Sequence, residues 1–335
     1  TDPSLVLGEA EARIFAIAQR REARAAATLR ELIDEAIRTL QANEGKHVTG
    51  VPTGFDQLDE MLSGLQKGEM VILAARPSMG KTAFALNITE NMAASGAPVA
   101  FFSLEMGKQQ LVQRILCAKA GVDGQKLRKG MLSREEWRAI VGVCGELHER
   151  PIFIDDTPGL TLLQMRSKAR RLKEKHGIGA IVIDYLQLMS AGTRTESRQV
   201  EVSDISRGVK AMARELEVPV VCLSQLNRQS EDRQGHRPRM SDLRESGSIE
   251  QDADVVMMLH REEYYHLQDP NWIEANPQKA NVAEVLVLKQ RNGPTGTVEL
   301  FWDSRSTAFR NLAPQGRAAG VEYAARGGYD GDIPA

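Results

Sequence analysis

Apolar residues recur along this chain with two different rhythms. Near the N-terminus they fall at helical spacing. Leu7, Ala10, Ile14 and Ile17 mark one face of a helix over residues 8–20. After a charged, alanine-rich stretch from Arg20 to Ala27, the residues Leu29, Leu32, Ile33, Ala36, Ile37 and Leu40 form a continuous stripe. That stripe predicts a second amphipathic helix over 28–41. Both faces need a partner, either each other in a helical hairpin or a neighbouring subunit.

From Val71 onward the rhythm changes. Short apolar runs, bounded by polar turns, alternate with amphipathic segments. The runs at 71–75, 99–103, 152–154, 181–183, 218–223 and 255–259 predict strands. The segments between them predict helices, one of which opens on the capping-box sequence Ser133-Arg-Glu-Glu136. Val282–Lys289 and Gly296–Trp302 read as an antiparallel pair around the turn Asn292–Gly296. This alternation predicts an α/β fold: a mostly parallel central sheet with right-handed crossovers, extended at one edge by a C-terminal β-hairpin. The Gly-, Ala- and Pro-rich tail from Ala313 reads as disordered.

Chemistry enters where the first long strand ends. Val71-Ile-Leu-Ala-Ala-Arg-Pro-Ser-Met-Gly-Lys-Thr82 runs into the apolar-periodic Ala83-Phe84-Ala85-Leu86. Strand, tight loop and helix in this order form a phosphate-binding loop. Backbone N–H groups of Ser78, Met79, Gly80, Lys81, Thr82 and Ala83 surround the phosphates at a helix N-terminus. Lys81 would reach the β- and γ-phosphates of a nucleotide, and the Thr82 hydroxyl would ligate Mg²⁺. Ala75 stands where the general motif has its first glycine.

Other strand ends are polar too, and ligands of an open parallel sheet bind beyond its C-terminal strand ends. Asp184 closes one strand and suits the Mg²⁺ shell; any buried strand can also end in Asp. Glu105 follows another strand, where a carboxylate can accept a proton from water, or serve simply as a helix N-terminal acid. Gln225 ends a third, either sensing the γ-phosphate or merely solvated. Lys289 and Arg291, two residues apart, point the same way. They read as a surface pair or as cations supplied in trans to a neighbour's phosphoryl group. The stretch Arg228–Ser248 is polar and aperiodic, with Arg228, Arg233, Arg237, Arg239 and Arg244 against Glu231, Asp232, Asp242 and Glu245. It has no aromatics for base stacking, so any hold on a nucleic-acid strand is through phosphates, without sequence readout.

Composition narrows the class. A net charge of −2, from 43 basic and 45 acidic side chains, excludes a protein that coats nucleic acid by bulk charge. No apolar run approaches the ~20 residues of a membrane span. The three cysteines lack metal-ligand spacing and sit in apolar-periodic segments, so all are expected to be buried free thiols in a reducing compartment.

In combination these motifs are specific. Ala75-Arg-Pro-Ser-Met-Gly-Lys-Thr82, Phe102-Ser-Leu-Glu-Met106, Ile183-Asp-Tyr-Leu-Gln-Leu188, Leu223-Ser-Gln-Leu-Asn-Arg228, Asp242-Leu-Arg-Glu-Ser-Gly-Ser-Ile-Glu-Gln251 and Lys289-Gln-Arg-Asn-Gly293 resemble the DnaB family of bacterial replicative DNA helicases. The resemblance runs from about Leu7 to Asn311, and Ala75 is usual in that family. It implies a RecA-like P-loop NTPase core, working as a homo-hexameric ring that moves 5′→3′ on single-stranded DNA, with ATP between subunits. It implies three regions: a helical linker over 1–45, an ATPase domain over 46–312 and a tail over 313–335. By matching positions, Lys81 and Thr82 bind phosphate and Mg²⁺, Asp184 supports the metal, and Glu105 activates water. Arg114 engages Glu105 and the γ-phosphate, Gln225 couples nucleotide state to the DNA loops, and Lys289 and Arg291 act in trans. Arg244, Glu245 and Gly247 hold the DNA backbone.

The segment 8–20 becomes the linker helix that docks on the adjacent subunit. A helicase loader and primase are the partners expected of the full-length family member, in the bacterial cytoplasm at the replisome. Family members carry an N-terminal helical domain before the linker, and primase recruitment through it is expected to be missing here. Two rivals share the core: a recombinase-type filament on DNA, and an ATPase acting on a protein or small molecule.

Overall fold

The computed structural model describes residues 27–189, 197–227, 231, 233 and 235–312. The helix expected over 8–20 and the tail over 313–335 lie outside them. The chain divides into two compact units at residues 49 and 50. In the first, helix α1 (Leu29–Ala42) begins at a capping box: the Thr28 side chain accepts from Glu31 N, and the Glu31 carboxylate accepts from Thr28 N at 2.8 Å. The expected stripe is present on α1 and exposed, with Leu29 and Leu40 both above 70% accessible (73% and 72%).

The second unit is a three-layer sandwich. After the short helix α2 (Asp56–Leu62), the chain forms β1 (Met70–Ala75), α3 (Lys81–Ala94), β2 (Val99–Ser103), α4 (Lys108–Ala120), α5 (Gly124–Lys129), α6 (Arg134–His148), β3 (Ile152–Asp155), α7 (Leu162–His176) and β4 (Ala180–Asp184). It continues with α8 (Arg198–Leu216), β5 (Val220–Gln225), a 3₁₀ turn over Met240–Ser246, α9 (Gly247–Asp252), β6 (Val255–His260), α10 (Pro270–Ala275), β7 (Val282–Gln290), β8 (Gly296–Asp303) and β9 (Ala308–Asn311). The sheet order is β3-β2-β4-β5-β1-β6-β7-β8-β9. The first six strands in sequence are parallel; β7 then pairs antiparallel with β6, β8 with β7 and β9 with β8.

The continuous apolar runs follow from burial on both faces. Side chains alternate across a strand, so each run feeds two cores. Val71 and Leu73 of β1, Phe101 of β2 and Val221 of β5 pack with Phe84 and Ile88 of α3 and Leu111 of α4. Ile72, Phe102 and Cys222 face the other way, onto Met165 of α7 and Ile205, Val209 and Met212 of α8.

Three expectations change. The hairpin has a third strand, β9, which pairs with β8. The stretch read as aperiodic loop is ordered in its second half, as the 3₁₀ turn and α9, because Ile249 is fully buried against the α8 layer and Ser206 Oγ donates to Asp252 Oδ2 at 2.7 Å. Cys117 and Cys222 are buried free thiols as expected, but Cys144 is exposed. It lies on α6, whose buried contact is Ile140 alone, so that helix has room for an apolar residue on its open side.

Candidate active site

The phosphate loop joins β1 to α3 in the centre of the sheet. Ala75 still belongs to the strand, in register with Gln225 on one side and Leu259 on the other. Extended backbone takes alanine without strain, so the motif needs no glycine at that position. Ser78 and Gly80 both lie in the left-handed region, at φ 66° and 96°. Left-handed residues set between right-handed ones turn successive N–H groups to one side, which makes an anion nest. At Gly80 a Cβ would also lie 2.9 Å from Phe309 Cζ, so only glycine fits. Met79 is buried and roots the loop in the core. Phe84 N–H donates to Gly80 O at 2.9 Å, the first bond of α3. The N–H groups of Lys81, Thr82 and Ala83 precede it and have no intrahelical acceptor, and the first turn holds no acidic side chain to claim them. Residues Ser78, Met79, Gly80, Lys81, Thr82 and Ala83 thus lie together in one loop and helix N-terminus with unclaimed N–H groups.

Asp184, at the end of β4, sits directly across from it. Thr82 Oγ1 donates to Asp184 Oδ2 at 2.8 Å. The other oxygen, Oδ1, is buried without a hydrogen-bond partner. Burial raises the Asp184 pKa, while Lys81 and the Thr82 hydrogen bond pull it down. Burial likewise lowers the Lys81 pKa against the attraction of Asp184 and Glu105. The Lys81 ammonium lies 4.6 Å from the centre of the Tyr185 ring. A free buried carboxylate oxygen beside a hydroxyl is a hard-oxygen donor set, and it fits Mg²⁺ shared with phosphate oxygens better than a protein-only cage. Among the described residues, no group of three His, Cys, Asp or Glu side chains offers such a cage.

Glu105 is exposed, two residues past β2. Its turn is fixed, because Leu104 N donates to Asp184 O at 2.6 Å and Ser103 Oγ donates to Met106 O at 2.6 Å. Glu105 and Arg114, the latter on α4, both act electrostatically on Asp184. Gln225 ends β5 beside Ala75, exposed. Leu226 N, next in the chain, donates to Ala75 O at 3.1 Å.

Lys289 and Arg291 are elsewhere. Lys289 pairs with Val256 near the start of β6, and β6 runs parallel to β1 with Val255 beside Val71. The phosphate loop leaves the opposite end of β1. The two cations therefore lie at the end of the sheet opposite the loop, level with the N-terminal half of β1 and two strands to its side. There Lys289 Nζ donates to Glu250 O at 2.5 Å and Arg291 Nη2 to Gln251 O at 2.6 Å. Both groups cap the C-terminal end of α9. Arg244 and Glu245 lie in the 3₁₀ turn, and Gly247 opens α9.

One neighbour of the loop went unread in the sequence. Arg261, just past β6, is buried, and its guanidinium stands 4.3 Å from the Trp302 ring centre, with Nε unpartnered. Burial lowers its pKa to about 10, so it remains a cation. Trp302 in turn walls Gly80. The signal was available, since Arg261 follows an apolar run like the other strand-end residues.

A strand–loop–helix at the C-terminal edge of a central parallel strand, with a buried carboxylate two strands over, defines a P-loop ATPase of RecA-like architecture. The chain belongs to the DnaB-like helicase C-terminal domain family, which matches residues 50–311. It is 47% identical over 312 residues to the replicative DNA helicase DnaB of Geobacillus stearothermophilus, covering 92% of this chain and 67% of that protein. It is also 47% identical over 320 residues to the replicative DNA helicase DnaC of Bacillus subtilis (strain 168), covering 94% and 69%. Among solved structures, one of an ATPase domain superposes with a TM-score of 0.79 at 39% identity, over 86% of this chain and 100% of that one. A DnaB-like replicative helicase, described with its interactions with primase, superposes at 0.76 with 38% identity, over 89% and 71%. No helix among the described residues is long and apolar enough to cross a membrane.

Proposed function

We propose that this chain is the ATP-driven motor of a replicative DNA helicase, with a linker over 1–45 and an ATPase domain over 46–312, acting as a six-membered ring on single-stranded DNA. The observation that carries it is the separation of Lys289 and Arg291 from the chain's own phosphate loop. A cationic pair that cannot reach its own nucleotide completes a site only in a neighbouring copy. An apolar groove of about 510 Å³, lined by Leu127, Leu132 and Trp137, supports assembly. Trp137 is 57% exposed there, and the groove suits the apolar face of segment 8–20 from an adjacent copy.

The cycle follows from the site. ATP lies with its β- and γ-phosphates on the N–H groups of the loop and on Lys81. Mg²⁺, held at Thr82 and Asp184, would neutralise charge on these phosphates. Glu105 takes a proton from the water that attacks the γ-phosphorus, as the bond to the ADP oxygen breaks. Arg114, and the neighbour's Lys289 and Arg291, stabilise the charge on the transferring group. Gln225 then reports loss of the γ-phosphate to the segment that holds DNA through Arg244, Glu245 and Gly247. Movement 5′→3′ is the direction the family resemblance supports. Primase and a helicase loader are proposed as partners of the full-length family member.

The test is ATP hydrolysis by a size-resolved oligomer, with and without single-stranded DNA. A closed six-membered species whose hydrolysis rises with DNA is expected. Open filaments of indefinite length would favour a recombinase-type scaffold, and indifference to DNA an ATPase with a protein or small-molecule target. For the DNA loop, Arg244→Ala should weaken single-strand binding equally for all sequences. The slope of log affinity against log salt should shrink by about 0.7, one phosphate contact on a single strand. An unchanged salt titration would remove this loop from the DNA path.

A further inference from the structure

The phosphate loop carries a second cation, Arg76, that faces away from the phosphates. It is 8% exposed, and each of its three guanidinium nitrogens donates one hydrogen bond on the side of β5. Nη1 donates to Leu226 O at 2.7 Å. Nε and Nη2 donate to a single oxygen, Glu231 Oε1, at 2.9 and 2.6 Å. Leu226 is thereby gripped at both polar groups, since its N–H already donates to Ala75 O. It is the residue after Gln225, and its side chain is buried in the α7–α8 layer.

The connection continues. Asn227 N donates to Asp242 O at 3.1 Å. Asp242 is buried, and its carboxylate accepts from Arg239 N at 2.8 Å and from Arg233 Nη1 at 3.0 Å. Arg244 stands two residues further on, in the same 3₁₀ turn. A chain of contacts, charge-assisted at Arg76–Glu231 and Arg233–Asp242 and backbone-to-backbone at Asn227–Asp242, thus runs from the phosphate loop to the turn proposed to hold DNA.

We propose that Arg76 is a positioning residue that couples nucleotide binding to DNA binding, with Glu231 as its acceptor. Arg76 is part of the loop backbone, so any shift of that backbone on filling moves its guanidinium. Leaving a buried guanidinium unpaired costs more than moving its partners with it. Leu226 and the Glu231 carboxylate therefore follow, and the Asn227–Asp242 hydrogen bond passes the shift to the turn. The inference rests on the proposed action on ATP and single-stranded DNA, and it adds a residue outside the cradle, the metal site and the trans cations. The simpler alternative is a staple that only holds the fold together, and the two differ in what they move.

The experiment measures single-strand affinity of the assembled oligomer with and without a non-hydrolysable ATP analogue. The unmodified chain is expected to bind DNA more tightly with the analogue. In Glu231→Gln, which keeps the side-chain shape at a partly exposed position, that ratio should fall by about tenfold, within the usual range of coupling between sites. Because linkage is reciprocal, the effect of DNA on analogue affinity should fall by the same factor. Affinity for each ligand alone should change by less than about twofold, with the melting temperature preserved. Arg76→Lys keeps a cation but cannot fork between Leu226 O and Glu231, so it should give an intermediate ratio. An undiminished ratio in Glu231→Gln overturns the proposal. So does a ratio that falls only together with the melting temperature, which identifies a staple. Independent binding of the two ligands by the unmodified chain would overturn the functional reading itself, before any variant is compared.

Discussion

Lys81→Ala should abolish ATP hydrolysis, lowering turnover by at least ~10²–10³-fold, the loss seen when one preorganised charge-stabilising group is removed. Lys81 is the cation proposed to meet the phosphates, and its pKa is lowered by burial, opposed by Asp184 and Glu105. No other side chain of the cradle carries positive charge. The same substitution changes stability in a pH-dependent way. The Asp184 pKa is raised in the fold by burial, and Lys81 is the largest influence pulling it down. A carboxyl whose folded pKa exceeds its unfolded value binds its proton more tightly when folded, so stability falls as pH rises through that window. Without Lys81 the folded pKa climbs further. The variant's extra loss should therefore be absent at low pH and fully present above the new pKa. Melting curves across pH in the absence of nucleotide check the second effect, and steady-state hydrolysis checks the first. Retained turnover would remove Lys81 from the site.

Arg291→Ala should cut hydrolysis by ~10³–10⁵-fold, the worth of a cation supplied in trans to a transferring phosphoryl group, while leaving nucleotide affinity largely intact. Its effect on folding should be small. Within its own chain the Arg291 guanidinium is 3.5 Å from Asp254, but Asp254 is also held by Lys210 and accepts from Met70 N at 2.7 Å. The Arg291 side chain is 43% exposed, so its own ion pair contributes little to stability. Mixing discriminates between action in cis and in trans. Glu105→Ala removes the other half of a site. If copies exchange at random in an equal mixture, about a quarter of the interfaces of a cyclic ring pair an intact Glu105 with an intact Arg291. Activity should return in that proportion, although each variant alone is inactive. No recovery at any ratio would place Arg291 outside the neighbour's site.

How much was legible in the sequence depended on how local the cause was. The strand–loop–helix around Gly80 was readable because contiguous residues dictate it. So were the capping box at Ser133 and the turn between β7 and β8. The strand β9 was missed because only Ala308 and Phe309 of its four residues are buried, too few for a period. The order in α9 was missed because one buried apolar residue, Ile249, anchors it, and no repeat announces a single anchor. Cys144 was misplaced because apolar periodicity marks a helix face without showing what covers it. Arg76 looked like a variable letter of a motif, since both its partners, Leu226 and Glu231, are about 150 residues away, at separations of 150 and 155.

The sequence by itself determined the candidate chemistry: a strand–loop–helix proposed to hold phosphate at Ser78–Ala83, a carboxylate at Asp184, polar groups at the ends of β2 and β5, and two cations at the end of a late strand. These are properties of residue type and of spacing within single elements. Only the tertiary structure decided where those elements meet. Strand β7 runs antiparallel to β6, so it delivers Lys289 and Arg291 to the end of the sheet opposite the cradle. Strand pairing and direction are set by packing between distant segments, which no local pattern encodes. In the proposed cycle, that reversal is why the chain holds the two halves of an ATP site and cannot close them on itself.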